Sequence, residues 1–179
     1  EKIIADSIAA LIAGIGEDAS RPGLRETPER VARAWREWTR GYQEFPGNLS
    51  VFPTDYQGIV VRKAIPFSSL CEHHLAYYGG TIDFAYIPNG QVVGISKIIR
   101  FMQHYSARLT IQEDLTTDLI KRFEKVLKPL GCAIRISGFH SCESSRGINT
   151  SGVPTITTIM TGKFLTDQNL AQQFYEAIR

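Results

Sequence analysis

Cys71, His74 and Cys142 are the side chains of this sequence best suited to bind a metal ion. Cys71 and His74 have the short spacing of a chelating pair, and Cys142 adds a second thiolate if folding brings the two segments together. Three protein ligands leave one coordination position open. A structural zinc is closed by four protein ligands, whereas a catalytic zinc keeps one position for water. The pattern therefore predicts a catalytic zinc site and hydrolytic chemistry.

Two further histidines, His73 and His140, lie beside these ligands in the sequence, together with Glu72 and Glu143. The alternative is structural, because a Cys-x-x-His pair is common by chance and a buried cysteine usually acts as a small apolar residue. Burying so many polar groups without partners would cost about 1–3 kcal/mol each. A bound metal or ligand supplies those partners, so the combination favours a functional site.

The other cysteine and histidine are less suited to metal binding. Cys132 is in a short strand-like run, where a buried thiol is the commoner outcome, and His104 is on a helix-like stretch. The chain has three cysteines, an odd number that argues against a disulfide framework. A reducing compartment keeps thiolates available, so we expect a cytoplasmic location.

Composition narrows the class of protein. With 179 residues, 43% of them hydrophobic and 21% charged, the sequence predicts one globular domain with a sizeable core. The pI of about 8.5 is below the value of roughly 9 that is typical of nucleic-acid-binding domains, so no nucleic-acid partner is expected. The sequence has no run of eighteen apolar residues and no charged-then-apolar leader, and we expect neither a membrane span nor a secretion signal.

The hydrophobic periodicity predicts helices first and then a mixture of strands and helices. Apolar residues recur at helical spacing from Ile3 to Ile12, and a second helix begins with Thr27 as the cap and Pro28 at the first helical position. Further helices are expected at 96–105 and 115–127, and strands at 59–65, 81–87, 133–139 and 154–164. Residues 91–94 restart the chain after a turn, which has the form of a hairpin.

This order predicts an α+β fold in which both halves of the metal site fall at strand ends. Cys71 follows the first strand, and His140 and Cys142 follow the third. Both edges of the sheet are expected to be long and apolar, which invites completion by another subunit.

Seven motifs, spread over nearly the whole chain, resemble those of GTP cyclohydrolase I, in the same order and with compatible spacing. They are Thr27-Pro28-x-Arg30-Val31-Ala32, Cys71-Glu72-His73-His74-Leu75, Tyr86-Ile87-Pro88, Gly94-Ile95-Ser96-Lys97-Ile98-x-Arg100, Gln112-Glu113-x-Leu115-Thr116, His140-x-Cys142 and Arg146-Gly147.

The resemblance implies the tunnelling fold: an antiparallel sheet with helices on one face, a helical N-terminal part, and sheets from several subunits that close a β-barrel. It also implies a homodecamer of two stacked pentamers with sites at subunit interfaces. Residues 1–179 would form a single domain, with a helical part at 1–45 and the catalytic part at 55–179.

The implied reaction converts GTP to 7,8-dihydroneopterin triphosphate with release of formate, the entry to tetrahydrofolate or tetrahydrobiopterin. Cys71, His74 and Cys142 would hold Zn²⁺, which lowers the pKa of bound water from 15.7 towards about 7. The resemblance assigns proton transfer at the purine ring to His140 and a neighbouring relay role to His73. Imidazole suits these roles because its ordinary pKa is near the working pH. Ser96 is placed beside the ribose and phosphate chemistry.

Substrate recognition requires acceptors for guanine and cations for the triphosphate. Glu113 offers two carboxylate oxygens to the N1–H and 2-amino donors of guanine, with Gln112 beside it, and adenine lacks that donor pair. The matching cations are Lys97, Arg100, Arg146 and Arg30.

Two segments depart from the family pattern, and two other functions compete with the enzyme. Glu143-Ser144-Ser145 and Ala76-Tyr77-Tyr78 differ from the residues that are frequent at these positions, which leaves the shape of the pocket and the preferred nucleotide open. The competing functions are a purine- or pterin-binding module without turnover and a structural zinc protein. The first has no need of two extra histidines, and the second should have a closed fourth ligand position.

Overall fold

The computed structural model describes residues 1–179, which divide into two compact units, Glu1–Arg40 and Gly41–Arg179. In the first unit, helix α1 (Lys2–Gly14) packs against helix α2 (Thr27–Trp38). The predicted cap of α2 is wrong by one residue. Glu26 is the N-cap because its carbonyl accepts the first helical hydrogen bond, from Arg30 N, and Thr27 is already helical and makes no side-chain cap.

The second unit contains six strands and five helices, joined to the first by a short 3₁₀ turn at Arg40–Tyr42. In chain order the elements are β1 (Val51–Pro53), β2 (Val60–Cys71), β3 (Ala76–Ile87), β4 (Gln91–Val93), α3 (Ile95–Ser106), α4 (Gln112–Leu127), β5 (Gly131–His140), α5 (Ser141–Ser144), β6 (Thr155–Met160), α6 (Lys163–Thr166) and α7 (Gln168–Ala177).

The main sheet has four antiparallel strands in the order β2-β3-β5-β6, which confirms the predicted α+β class with an antiparallel sheet. β2 and β3 are longer than predicted, and β2 continues through Pro66 to Cys71. Proline is tolerated there because β2 is an edge strand, so the missing N–H costs no ladder bond on the outer side.

The predicted hairpin between residues 81–87 and 91–94 is wrong. β3 is paired with β2 on one side and β5 on the other, so it has no free edge to offer. β4 instead pairs with β1 in a separate two-stranded sheet. The hydroxyl of Tyr86 in β3 accepts a hydrogen bond from Val93 N and ties this small sheet to the large one.

One face of the large sheet forms the main core beneath α3 and α4. Alternate residues of the central strands point to this face because successive side chains of a strand point to opposite sides. Its most deeply buried members are Tyr78, Ile82, Phe84, Tyr86, Ile98, Met102, Leu115, Leu119, Phe123, Ile134 and Ile136. Burial of each large apolar side chain contributes roughly 1.5–3 kcal/mol, so this face supplies most of the stabilisation.

The opposite face is covered at one end only, by α6 and α7. Phe164 and Phe174 pack there on Ala85, Ile87 and Ala133. Helices therefore lie on both faces of the sheet, which corrects the expectation of helices on one face. The predicted strand at 154–164 also ends early, at Met160. Gly162 turns the chain with φ of +52°, and a Cβ there would be 2.3 Å from the carbonyl oxygen of Leu130.

The edges of the large sheet are β2 and β6, and β6 has no strand on its outer side. β6 is only six residues long, and three of those residues are threonine. This edge is therefore shorter and more polar than expected. None of the helices is both long enough and apolar enough to cross a membrane.

Candidate active site

A tight connection between β2 and β3 presents the first two predicted ligands. The two strands pair up to Cys71 and Ala76, so residues 72–75 form the loop between them. Leu75 N donates to Cys71 O at 2.8 Å, and Leu75 has a positive φ of +53°, which closes the turn. As a result, His74 returns towards Cys71, with Nδ1 at 3.9 Å from Cys71 Sγ.

The third predicted ligand reaches the same place through the register of β3 and β5. Tyr78 pairs with His140, the last residue of β5, and α5 begins at the next residue. The Ser141 hydroxyl donates to Tyr77 O at 2.6 Å and fixes this start against β3. Cys142 then lies in the first turn of α5, and the ligand atoms of Cys71, His74 and Cys142 all lie within 4.8 Å of one another.

The chemistry of this trio fits zinc. Two thiols and one imidazole favour zinc over oxygen-preferring cations. Tetrahedral zinc separates its ligand atoms by roughly 3.5–3.8 Å, given Zn–S near 2.3 Å, so small side-chain movements suffice to close the group. Burial raises the pKa of the Cys142 thiol, and the neighbouring Cys71 raises it further because two thiolates repel. A divalent cation would remove that repulsion.

His140 lies beside the trio and is held on two sides. Its Nε2 is 3.1 Å from Gln112 Oε1, and its ring stacks on Tyr78 with centroids 4.4 Å apart and planes within 7°. Burial lowers the pKa of His140, against smaller opposing contributions from Glu143 and Glu113. The neutral ring is therefore favoured, which suits proton exchange near neutral pH.

A cleft of about 270 Å³ joins these groups. Its lining residues are Cys71, His73, His74, Thr110, Ile111, Gln112, Glu113, His140, Cys142, Glu143 and Thr155. Glu113 is in the first turn of α4, exposed, and its carboxylate makes no hydrogen bond or ion pair within the chain. His73 is exposed at the rim. The cleft is thus lined both by an unpaired carboxylate and by a potential metal site.

Arg146 contacts the metal group from outside. Its Nη1 is 2.8 Å from His74 Nε2, and a guanidinium can only donate, so this nitrogen of His74 is an acceptor here. Arg146 is itself exposed.

The structure does not bring all of the predicted site residues together. Ser96, Lys97 and Arg100 are on α3, and none of them lines the cleft. Arg30 belongs to the N-terminal unit, where it is exposed and pairs with Glu26 at 2.6 Å. Gln112 lines the cleft but is only 1% exposed, and its amide is engaged inside the chain.

Sequence reasoning missed four residues of the site. Tyr78 lies against the ring of His140, and Thr110, Ile111 and Thr155 line the cleft. Thr110 is close to the Gln112-Glu113 pair in the sequence, which is a usable signal. Tyr78 and Thr155 are positioned by strand register, which the sequence alone does not reveal.

The fold and the cleft together define an α+β protein with three potential metal ligands and other polar groups collected at one end of an antiparallel sheet. The sequence model of one family, GTP cyclohydrolase I, matches residues 4–179. The chain therefore belongs to the GTP cyclohydrolase I family, and the predicted enzyme class is confirmed.

Individual relatives agree over most of their length. A protein named GTP cyclohydrolase 1 from Janthinobacterium sp. (strain Marseille) is 40% identical over 168 residues, covering 92% of this chain and 85% of its own. Proteins of the same name from Hydrogenobaculum sp. (strain Y04AAS1) and Aquifex aeolicus (strain VF5) are each 38% identical, covering 100% and 98% of this chain and 97% and 95% of their own.

Proposed function

We propose that this chain converts GTP to 7,8-dihydroneopterin triphosphate with release of formate, using zinc held by Cys71, His74 and Cys142. The observation that carries the proposal is the convergence of three ligand atoms within 4.8 Å beside a cleft that also contains His140 and Glu113. The name that the relatives carry, GTP cyclohydrolase 1, supports GTP as the substrate.

The donor set has room for water, because only three protein ligands converge. Cys71, His74 and Cys142 would hold zinc, which would supply water of lowered pKa, towards about 7, for hydrolysis at C8 of guanine. The chain's own task is to place the base, to keep the cleft shaped around it, and to move protons.

His140 is the residue best placed to move those protons. It is fixed by Gln112 and Tyr78 at the edge of the cleft, so its ring is oriented before substrate arrives. His73 is exposed and makes no comparable contacts, which suits a relay that exchanges protons with solvent. A positioned acid or base of this kind contributes typically 10²–10⁴-fold to rate.

Glu113 is the residue that would select guanine. Its carboxylate is without a partner in the chain and is stabilised by its place in the first turn of α4, close to the positive end of the helix. The N1–H and 2-amino groups of guanine would satisfy both of its oxygens. Adenine would leave this carboxylate unpaired, which is the stronger form of discrimination.

The cleft of one chain is too small for the whole substrate. Its volume of about 270 Å³ is below the roughly 300–1,000 Å³ of typical ligand sites, so it fits the base better than a nucleoside triphosphate. Lys97, Arg100 and Ser96 lie outside this cleft, and β6 has an open edge. We therefore propose a homodecamer of two pentamers in which a second subunit supplies Ser96, Lys97 and Arg100. Arg30 remains a candidate for the same triphosphate site.

Arg146 would join the phosphate-binding group once metal is bound. If zinc were held through Nδ1, the nitrogen that faces Cys71 Sγ, His74 would carry its proton on Nε2 and could not accept from a guanidinium. Arg146 would then be released from His74 and be available to a phosphate. We place the enzyme in the cytoplasm, at the entry to tetrahydrofolate or tetrahydrobiopterin synthesis.

The test is to incubate zinc-loaded protein with GTP and to measure formate together with a fluorescent pterin after oxidation. Equimolar formate and pterin are expected, and the metal-free protein is expected to give neither. Formate-free binding of GTP by the zinc-loaded protein would contradict the proposal and favour a binding module.

A further inference from the structure

The side-chain amide of Gln112 is the most completely hydrogen-bonded polar group near the cleft. The residue is only 1% exposed. Its Nε2 lies 2.9 Å from Thr155 O, 3.3 Å from Ile136 O and 3.1 Å from Thr157 Oγ1. Its Oε1 lies 3.1 Å from His140 Nε2. All four polar neighbours are therefore close enough to determine how the amide is oriented.

Two of these neighbours fix which end of the amide is nitrogen. Thr155 O and Ile136 O are backbone carbonyls, which can only accept hydrogen bonds. Turning the amide over would place its oxygen against both carbonyls and leave buried acceptors facing one another. Unmade hydrogen bonds of buried groups cost about 1–3 kcal/mol each, so the amide has one allowed orientation.

The fixed orientation of the Gln112 amide also determines which nitrogen of His140 carries a proton. Gln112 Oε1 can only accept, so His140 Nε2 must carry a proton. We propose that Gln112 is a positioning residue that holds the neutral His140 ring as its Nε2–H tautomer and so reserves Nδ1 as the nitrogen that exchanges protons. The structural part of this inference stands on hydrogen bonding alone, and its catalytic consequence rests on the function proposed above.

Two other residues support this arrangement independently. Gly138 faces the amide, and a Cβ at this position would be 2.3 Å from Gln112 Oε1. Tyr78 stacks on the imidazole with planes within 7°, which prevents the ring from turning out of line with the amide oxygen. The space at Gly138 and the stack on Tyr78 together set the position and the plane of His140.

A threonine pair ties the amide to its own helix. Thr157 Oγ1, which lies beside Gln112 Nε2, is 2.6 Å from Thr116 Oγ1, and the Thr116 hydroxyl donates to Gln112 O at 2.6 Å. The chain of hydrogen bonds begins and ends on Gln112, so each member restrains the next. During turnover His140 would accept a proton at Nδ1 and return it from the same atom, while Nε2–H stays bound to Gln112 and the proton count is unchanged.

The direct test is ¹⁵N NMR of the zinc-loaded protein with labelled histidine. The chain has four histidines, so the His140 signals can be assigned by their loss in a His140→Gln variant. In the wild type, at a pH where the ring is neutral, Nε2 is expected to show the shift of a protonated nitrogen and Nδ1 that of an unprotonated one. In Gln112→Met, which keeps the size but removes the acceptor, the two signals are expected to move towards a mixture of tautomers. A protonated Nδ1 in the wild type, or identical spectra in Gln112→Met, would overturn the proposal.

The kinetic test separates positioning from substrate binding. Gln112→Met is expected to lower kcat for formate release by roughly 10–100-fold, the usual cost of losing a supporting partner, with KM for GTP within about threefold. The matched control is Gln103→Met, which makes the same chemical change on α3 at a residue that bonds Pro66 O and does not line the cleft. Its kcat is expected to stay within about twofold. Equal losses in the two variants, or a rise in KM without a fall in kcat, would overturn the positioning role.

Gly138→Ala provides a second variant that keeps Gln112 intact. The added methyl group displaces the amide oxygen, so kcat and the His140 tautomer are expected to change in the same direction as in Gln112→Met. An unchanged tautomer in folded, zinc-loaded Gly138→Ala would contradict the proposal. If the wild type releases no formate at all, the function fails while the NMR result still decides the tautomer.

Discussion

The two ends of the β3–β5 strand pair have opposite characters. At one end, Ala85 and Ile87 pair with Ala133 and Gly131 beneath Phe174, in a small apolar cluster. At the other end, about nine residues along the same two strands, Tyr78 pairs with His140, and a hydrogen-bonded polar cleft follows. The pair therefore provides stability at one end and places the candidate chemistry at the other.

The cysteines show what this difference does to one side chain. Cys132, near the apolar end, is fully buried, and burial raises its pKa well above the usual range of a thiol. It stays protonated and has no metal-binding partner. Cys142, just beyond the polar end, lies within reach of Cys71 and His74. Position along the strand pair, not residue type, separates a structural thiol from a candidate ligand.

The largest expected difference in zinc content and turnover comes from replacing each of these two cysteines by serine. Cys142→Ser is expected to lose both zinc and turnover, because only two strong ligands remain, while helical circular dichroism persists because the core is built mainly from large apolar side chains and Cys142 only packs against it. Cys132→Ser is expected to keep about one zinc per chain and to lose about 1–3 kcal/mol of stability from a buried hydroxyl. Metal content and formate release check both. Full zinc and full rate in Cys142→Ser would show that the ligand assignment is wrong.

The apolar end is tested by Phe174→Ala. Phe174 is completely buried, so its truncation is expected to lower the free energy of unfolding by about 3–5 kcal/mol. Turnover per folded chain should be unchanged because the cleft is at the other end. Urea unfolding at fixed protein concentration measures the loss, with the exposed neighbour Gln173→Ala as a control expected within about 0.5 kcal/mol. A stable variant with reduced turnover would reverse the assigned roles of the two ends.

Within the polar end, recognition of the base and of the triphosphate are expected to separate. Glu113→Gln turns one acceptor towards guanine's own donors and should weaken binding of both GTP and guanosine by a few kcal/mol at most, with normal zinc content. Lys97→Ala should weaken the binding of GTP much more than the binding of guanosine, because only the triphosphate loses its cation. Calorimetric titrations in an inactive His140→Ala background measure the binding of GTP and of guanosine to each of the two variants. Equal losses for both ligands in Lys97→Ala would contradict the assigned orientation.

The smallest effect concerns the buried phenol of Tyr78. Its hydroxyl makes no hydrogen bond of normal geometry, since the nearby Ser69 hydroxyl donates to Arg108 O, and burial raises the pKa of Tyr78 to about 12, with a smaller opposing effect from Ser69. Because the folded state disfavours ionisation of the phenol, the unfolded state loses its proton first. The contribution of neutral Tyr78 to the free energy of unfolding is therefore complete below pH 10 and is lost as the pH rises from 10 through about 12. The loss is roughly 2–3 kcal/mol, and Tyr78→Phe should abolish it. Unfolding measured against pH checks this, with the exposed Tyr77→Phe as a control that should leave the alkaline loss in place.

Much of the fold and of the candidate site can be predicted from the sequence, because it depends on residues that are close together in the chain. The Cys71–His74 spacing, the strand ends at Cys71 and His140, and the two helices over the main core follow from short-range pattern. The role of Tyr78 does not, because it depends on which residue of β3 faces His140, and register is set by contacts distant in sequence.

Other misses have the same origin. The predicted β3–β4 hairpin failed because long-range pairing with β5 had already used the free edge of β3. The strand predicted at 154–164 overruns the start of α6 because Gly162 ends the strand early, and no helix is predicted from the sequence at 168–177, where α7 lies. The role of Gln112 in substrate binding stays a prediction; what the sequence does not reveal is its set of buried amide contacts, which bring together α4, β5 and β6.

The most direct test that the polar end of the β3–β5 strand pair carries the chemistry is the zinc content, GTP binding and formate release of His140→Ala. The variant is expected to bind about one zinc per chain and GTP with near-normal affinity, because neither depends on this ring, yet to release formate roughly 10²–10⁴-fold more slowly. Zinc content, calorimetric binding of GTP and formate release would be measured on the same preparation. Formate release at the wild-type rate would remove His140 from the mechanism and contradict the account of the polar end.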